Sequence, residues 1–175
     1  MDRIVFLIYR MPLRWTLLLI LAMVLAAGLL GVLLFRFRRA VRVAAAVLAL
    51  LSLAAVLYVT LFRGGSGNGE LILLPLYSLV EAVKQPEVYR TLLMNVFLFV
   101  PLGIALPFAL PEKIRCKALL SIVLAAAFSL VIEAVQFALS LGRAELDDIL
   151  MNSLGAAIGA LAYFPRWVRE KISKS

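Results

Sequence analysis

Five apolar runs constrain this chain more than any other feature: Leu13 to Phe35, Ala40 to Phe62, Leu92 to Leu110, Ala118 to Leu139 and Ile149 to Phe164. About 20 apolar residues make one bilayer crossing as a helix. In hydrocarbon, each backbone N–H and C=O must find its partner within the protein, and a helix does this segment by segment. The chain is 65% hydrophobic, against roughly 45–50% in soluble domains. The expected class is all-α: an integral membrane helical bundle with about five transmembrane helices and a short interfacial or re-entrant segment. At 175 residues the length suits one bundle.

Charge patterning orients the bundle. A net charge of +8 would suggest nucleic acid in a soluble protein. Here the basic residues flank apolar runs, so topology and anionic lipid explain them, and nucleic acid is not an expected partner. Arg36, Arg38, Arg39 and Arg42 form one tight basic loop, EKIRCK a second, and Arg166, Arg169, Lys171 and Lys174 a basic tail. That face holds eleven Lys or Arg and the opposite face seven. The N-terminus is therefore expected outside and the C-terminus in the cytoplasm. The first run is too long for a signal-peptide core and lacks a clear cleavage site, so it is read as retained. Trp15 and Trp167 suit interface anchors. Cys116 is the single cysteine and there is no histidine. This excludes an internal disulfide, cysteine clusters, histidine-based triads and histidine-ligated zinc.

The connections are less regular. Residues 1–12 read as a partly amphipathic arm, and RGGSGNGE, residues 63–70, as a flexible turn. Leu71 to Arg90 begins apolar but then carries Glu81, Lys84, Gln85, Pro86 and Glu87. It is too polar to span and reads as the interfacial or re-entrant segment. Pro101 should interrupt and kink the third helix, which Pro107 or Pro111 should end.

Against this background a few polar residues stand out. Glu133 and Gln136 share a helix face; Asp148, Asn152, Gly155 and Gly159 form one stripe on another helix. A carboxylate within such a run costs several kcal/mol unless paired, neutralised or hydrated. In the expected topology Asn95, Glu133, Gln136, Asp148 and Asn152 lie within roughly 10 Å of the outer helix ends. Polar residues from three helices thus fall at one depth. Each has a plainer reading. Glu133 with Gln136, and Asn95 with Asn152, could be interhelical hydrogen-bond glue. Asp147 suits an N-cap, Glu145 a solvated loop charge, and Gly155 with Gly159 a packing pair. Arg143 is a headgroup-level arginine, a counter-ion to Glu133 or Asp148, or a clamp on a phosphate or carboxylate.

The motifs NVFLFVPLG (Asn95 to Gly103), IEAVQF (Ile132 to Phe137) and DDILMNSLGAAIG (Asp147 to Gly159), with LLPL around Pro75 upstream, resemble those of the VanZ-like family of bacterial membrane proteins. The resemblance covers about Leu50 to Phe164. Its characteristic positions correspond to Asn95, Pro101, Gly103, Glu133, Gln136, Arg143, Asp148, Asn152 and Gly155. Glu145 stands where many members carry aspartate. The helix at 13–35 looks like an addition to the namesake. That divides the chain into residues 1–39, an arm and additional helix, and residues 40–175, a VanZ-like four-helix domain with a basic tail. The family is named for a protein associated with teicoplanin resistance.

The functional expectation is a polar pocket in the outer leaflet of a bacterial cytoplasmic membrane. It would bind the head group of a lipid-linked envelope precursor or a lipoglycopeptide, contributing to glycopeptide resistance or envelope maintenance. Arg143 would hold an anionic group; Asn95, Glu133, Gln136, Asp148 and Asn152 would meet amides or hydroxyls. No resident cofactor is expected. One alternative is an intramembrane enzyme with Glu133 and Asp148 as acid and base, or holding Mg²⁺ against a diphosphate. Another is a small transporter component, which the Pro101 break would suit and the apolar inner halves of the helices would not.

Overall fold

Leu, Ala and Val dominate the apolar runs and favour helix once lipid removes water as a competing partner. The computed structural model describes residues 12–62 and 70–173. The helices are α1 (Leu13–Leu33), α2 (Arg38–Phe62), α3 (Tyr77–Lys84), α4 (Pro86–Ala109), α5 (Lys117–Ala138), α6 (Leu146–Ala160) and α7 (Phe164–Ile172). A 3₁₀ turn, Leu161–Tyr163, joins α6 to α7. Two short strands, β1 (Leu71–Ile72) and β2 (Ala144–Glu145), pair in parallel, Leu71 opposite Ala144 and Ile72 opposite Glu145. The arm at 1–11, with Arg3 and Arg10, the turn at 63–69 and Lys174 lie outside the described residues.

Helices α1, α2, α4 and α5 are each long and apolar enough to cross a membrane, and the chain is a membrane protein of the all-α class. Helix α6 has 15 residues, about 22 Å of rise, and the 3₁₀ turn and α7 extend it. The central post is α4: 61% of its span is buried, against 22% for α1 and 28% each for α2 and α5. Phe99, Val100 and Leu102 of α4 are fully enclosed, with Val56 of α2, Ile132 of α5 and Ala156 of α6 around them. The outer helices turn Leu21, Leu25, Leu29, Leu50 and Leu51 outward, each more than half exposed, as lipid-facing side chains should be.

The closest approach is between α4 and α6. A Cβ on Gly155 would overlap the Val96 carbonyl oxygen, and one on Gly159 the Val100 carbonyl. From the other side, a Cβ on Gly103 would run into the Ala156 backbone. Three glycines let the two backbones touch, the means by which helices associate where no hydrophobic gradient drives them.

The structure corrects several boundaries. The third spanning helix starts at Pro86, not Leu92, with Pro86 in its first turn and Glu87 beside it, both helix-start signals. The interfacial piece is therefore shorter than expected, ending at Gln85. Neither Pro101 nor Pro107 ends or interrupts the helix; both lie inside α4, which stops only when Leu110 turns extended ahead of Pro111. A proline removes one N–H from the ladder, and neighbours packed along α4 hold the remaining turns together.

The basic tail is built into the fold. Arg166 is 5% exposed. Its Nε donates to Glu170 Oε1 at 3.1 Å, while Tyr163 Oη donates to Glu170 Oε2 at 2.8 Å. The Arg166 guanidinium lies 5.6 Å from the Phe35 ring centre and 5.8 Å from that of Phe108, within cation–π range. Burial works against the Glu170 charge, but hydrogen bonds from Tyr163 and Arg166 and the nearby Lys117 hold its carboxyl below the usual range. Helix α1 seals this end: Gly28 lies against Ala162 and Gly31 against the Phe108 ring.

Candidate functional site

At the other end of the bundle, the loop between α5 and α6 determines the geometry. Ser140 adopts a left-handed backbone, φ 52°, and the Leu141 N–H returns to the Gln136 carbonyl at 2.9 Å, closing α5. The chain then crosses to the segment before α3, where the Ala144 N–H donates to the Glu70 carbonyl at 2.9 Å and β2 pairs with β1. This fixes Glu145 at the N-cap of α6. Its N–H donates to Glu133 Oε2 at 3.1 Å, tying the carboxylate on α5 to the start of α6.

Asp147 corrects the expectation of a self-cap. It lies one residue inside α6, 2% exposed. Its Oδ1 accepts from the Leu76 N–H at 2.6 Å and its Oδ2 from the Ser78 N–H at 2.7 Å. Leu76 is the left-handed N-cap of α3, φ 64°, so Asp147 caps a helix about seventy positions earlier in the chain. Glu145 is not a solvated charge. Its side chain is 15% exposed, pairs with Arg143 Nε at 3.3 Å and accepts a short hydrogen bond from Ser78 Oγ. Arg143 thus forms its ion pair with Glu145 rather than with Glu133.

A cavity of about 190 Å³ opens between these elements. Asn95, Glu133, Gln136, Arg143, Asp148 and Asn152 all line it, and Thr60, Thr91 and Glu145 join them. Asn95, Glu133 and Asn152 are buried. Gln136 Nε2 donates to the Thr60 carbonyl at 3.3 Å, bridging α5 and α2. Asn152 Nδ2 donates to Ser129 Oγ at 2.8 Å, bridging α6 and α5, while Asn152 Oδ1 is buried without a hydrogen-bond partner. Pro101, Gly103, Gly155 and Gly159 are not among the lining residues; the three glycines lie in the α4–α6 contact.

The residues absent from the sequence reading are Thr60, Thr91 and the structural use of Asp147 and Glu145. Thr60 had a signal: a hydroxyl near the end of an apolar run, at the end of α2 that meets Gln136. Asp147 and Glu145 depend on partners 67–71 positions away, which local spacing does not carry. Among the described residues no group of three or more His, Cys, Asp or Glu is placed to hold a metal ion. A cation at Glu133 and Asp148 would need further donors from a ligand.

No curated protein and no solved structure matches the chain. The VanZ/LLP1 family profile matches residues 46–169, from within α2 into α7 and including every cavity residue, so the chain belongs to the VanZ/LLP1 family.

Proposed function

We propose that this protein binds the head group of a lipid-linked cell-envelope molecule, or of a lipoglycopeptide, in the cavity between α4, α5 and α6. The single observation that carries this reading is that the six polar side chains share one cavity of about 190 Å³. Buried polar groups in a membrane are costly, and hydrogen bonding that served only to join helices would leave no space between the partners. The cavity opens to the outer leaflet, with the N-terminus outside and the C-terminus in the cytoplasm. Glu133, Gln136, Asp148, Asn95 and Asn152 meet amides, hydroxyls or amines of the bound group. On this reading the binding contributes to glycopeptide (teicoplanin) resistance or envelope maintenance, a role that membership of the VanZ/LLP1 family supports.

A second reading draws on one specific observation, that Glu133 and Asp148 line the same cavity. It is an intramembrane enzyme in which one carboxyl donates a proton to a lipid-linked substrate and the other accepts one.

Glu133→Gln keeps size and most hydrogen bonding. It should leave thermal unfolding in detergent unchanged within about 0.5 kcal/mol yet abolish teicoplanin protection in cells expressing the protein. Full protection by Glu133→Gln would remove the charged-site reading and leave Glu133 as helix glue. Orientation is tested separately. A Cβ on Gly142 has nothing within 4 Å, so cysteine fits there. Gly142→Cys should react with an impermeant thiol reagent added outside intact cells, and Cys116 should not; the reverse pattern inverts the topology.

A further inference from the structure

The charge balance of the cavity specifies which part of a head group it takes. Three carboxylates line it, Glu133, Glu145 and Asp148, against one guanidinium, Arg143. The formal sum is −2, and it stays negative with one carboxyl protonated. Arg143 Nε is paired with Glu145 at 3.3 Å, so part of its charge is already answered by the wall. A phosphate entering here would meet a net negative lining and an arginine that already shares its Nε with a carboxylate. The charge balance favours a cation over the anion that Arg143 alone would suit.

A second observation, independent of the charges, points the same way. Asn152 is 3% exposed and lines the cavity. Its amide nitrogen is used on Ser129, and its Oδ1 is buried with no donor. A buried acceptor without a partner leaves its desolvation cost unanswered. What it lacks is an N–H or O–H. An ammonium group supplies three such donors in a compact volume and its charge answers the carboxylates.

We infer that the cavity recognises a primary ammonium carried by a lipid head group, with Asn152 Oδ1 as one acceptor and the Glu133 and Asp148 carboxylates as its counter-charge. The inference rests on the binding reading above and specifies its ligand class. A volume of about 190 Å³ holds an ethanolamine or amino-sugar group but not a whole glycopeptide, so any larger molecule would insert only its amine.

The test uses the full chain in nanodiscs, with bound lipid counted by native mass spectrometry after transfer to detergent. Phosphatidylethanolamine should be retained at least tenfold over phosphatidylcholine and phosphatidylglycerol. Asn152→Leu should abolish that preference. Should Asn152→Leu fail to fold, Asp148→Asn, whose shape is conserved, should reduce the preference at least threefold. Soluble ethanolamine at millimolar concentration should displace the lipid, locating recognition in the ammonium, and glycerol phosphate should not. Preferential retention of phosphatidylglycerol, or displacement by glycerol phosphate, overturns the ammonium assignment and leaves a binding cavity for anions. Equal retention of all three lipids, unchanged by Asn152→Leu, overturns the ammonium assignment; if Glu133→Gln also keeps full protection, the binding reading falls with it.

Discussion

The two ends of this bundle bury charge in opposite ways. At the α7 end, Arg166, Glu170 and Tyr163 form a charge-balanced set: the carboxylate takes one donor from each partner and aromatic rings cover the guanidinium. The neighbouring cavity of about 370 Å³ is walled mainly by apolar side chains, among them Ala157, Leu161 and Trp167. At the other end, Glu133, Glu145 and Asp148 surround a smaller cavity, and one buried acceptor lacks a donor. Opposite charges that neutralise one another act as mortar, and the ion pair persists although Arg166 Nη1 is buried without an acceptor. Like charges around a space are stable only with a structure built to hold them, here the clamps of Asp147 and Glu145, and they leave an interaction unfilled.

The comparison breaks most completely at the feature both ends share, the α4–α6 contact. Gly155→Leu puts a side chain into the Val96 backbone, where neither partner can yield. It should cost more than about 3 kcal/mol and abolish recoverable folded protein, disturbing both ends together. Unchanged thermal stability would mean that this stripe does not face α4, and the inward position of Asn152 would fall with it.

Glu170→Ala tests the closed end alone. It leaves Arg166 buried without its counter-charge, a loss of about 3 kcal/mol. Lipid retention at the distant cavity should persist under conditions where the variant stays folded. The pH dependence has a definite sign. The folded Glu170 carboxyl titrates below its ordinary value, so its contribution is complete above the unfolded pKa of about 4 and is lost as pH falls through the folded one. Thermal unfolding of the parent should therefore weaken on acidification below about pH 4, and Glu170→Ala should lack that component.

Asp147→Asn tests the open end's frame with the smallest expected effect on stability. It replaces one acceptor of the Leu76 and Ser78 N–H groups with a donor, a loss of about 1–2 kcal/mol. Opening should be local: faster hydrogen exchange across residues 70–85, with the α4–α6 core protected as before. Uniform acceleration over the whole chain would show that the α3 cap is not a separate unit.

Lipid makes hydrocarbon length and backbone satisfaction decisive, so the apolar runs alone determined the all-α class, the lipid-facing leucines and four of the five expected spans; among the described residues the fifth run forms a helix of only 15 residues. That Asn95, Glu133, Gln136, Asp148 and Asn152 share one level of the bundle was also legible, because residue count along a helix measures height along its axis. Helix ends were less so: prolines were read as breaks, whereas α4 keeps both inside because its neighbours hold it. Pairing was decided only in three dimensions. Arg143 with Glu145 is a local pair that chain spacing permits but does not select; Asp147 with Leu76 and Ser78, and Glu145 with Ser78, join loops that meet only because β1 and β2 align. A sequence records which groups a chain must bury, whereas the sign and partner of each buried charge depend on distances that only packed helices set.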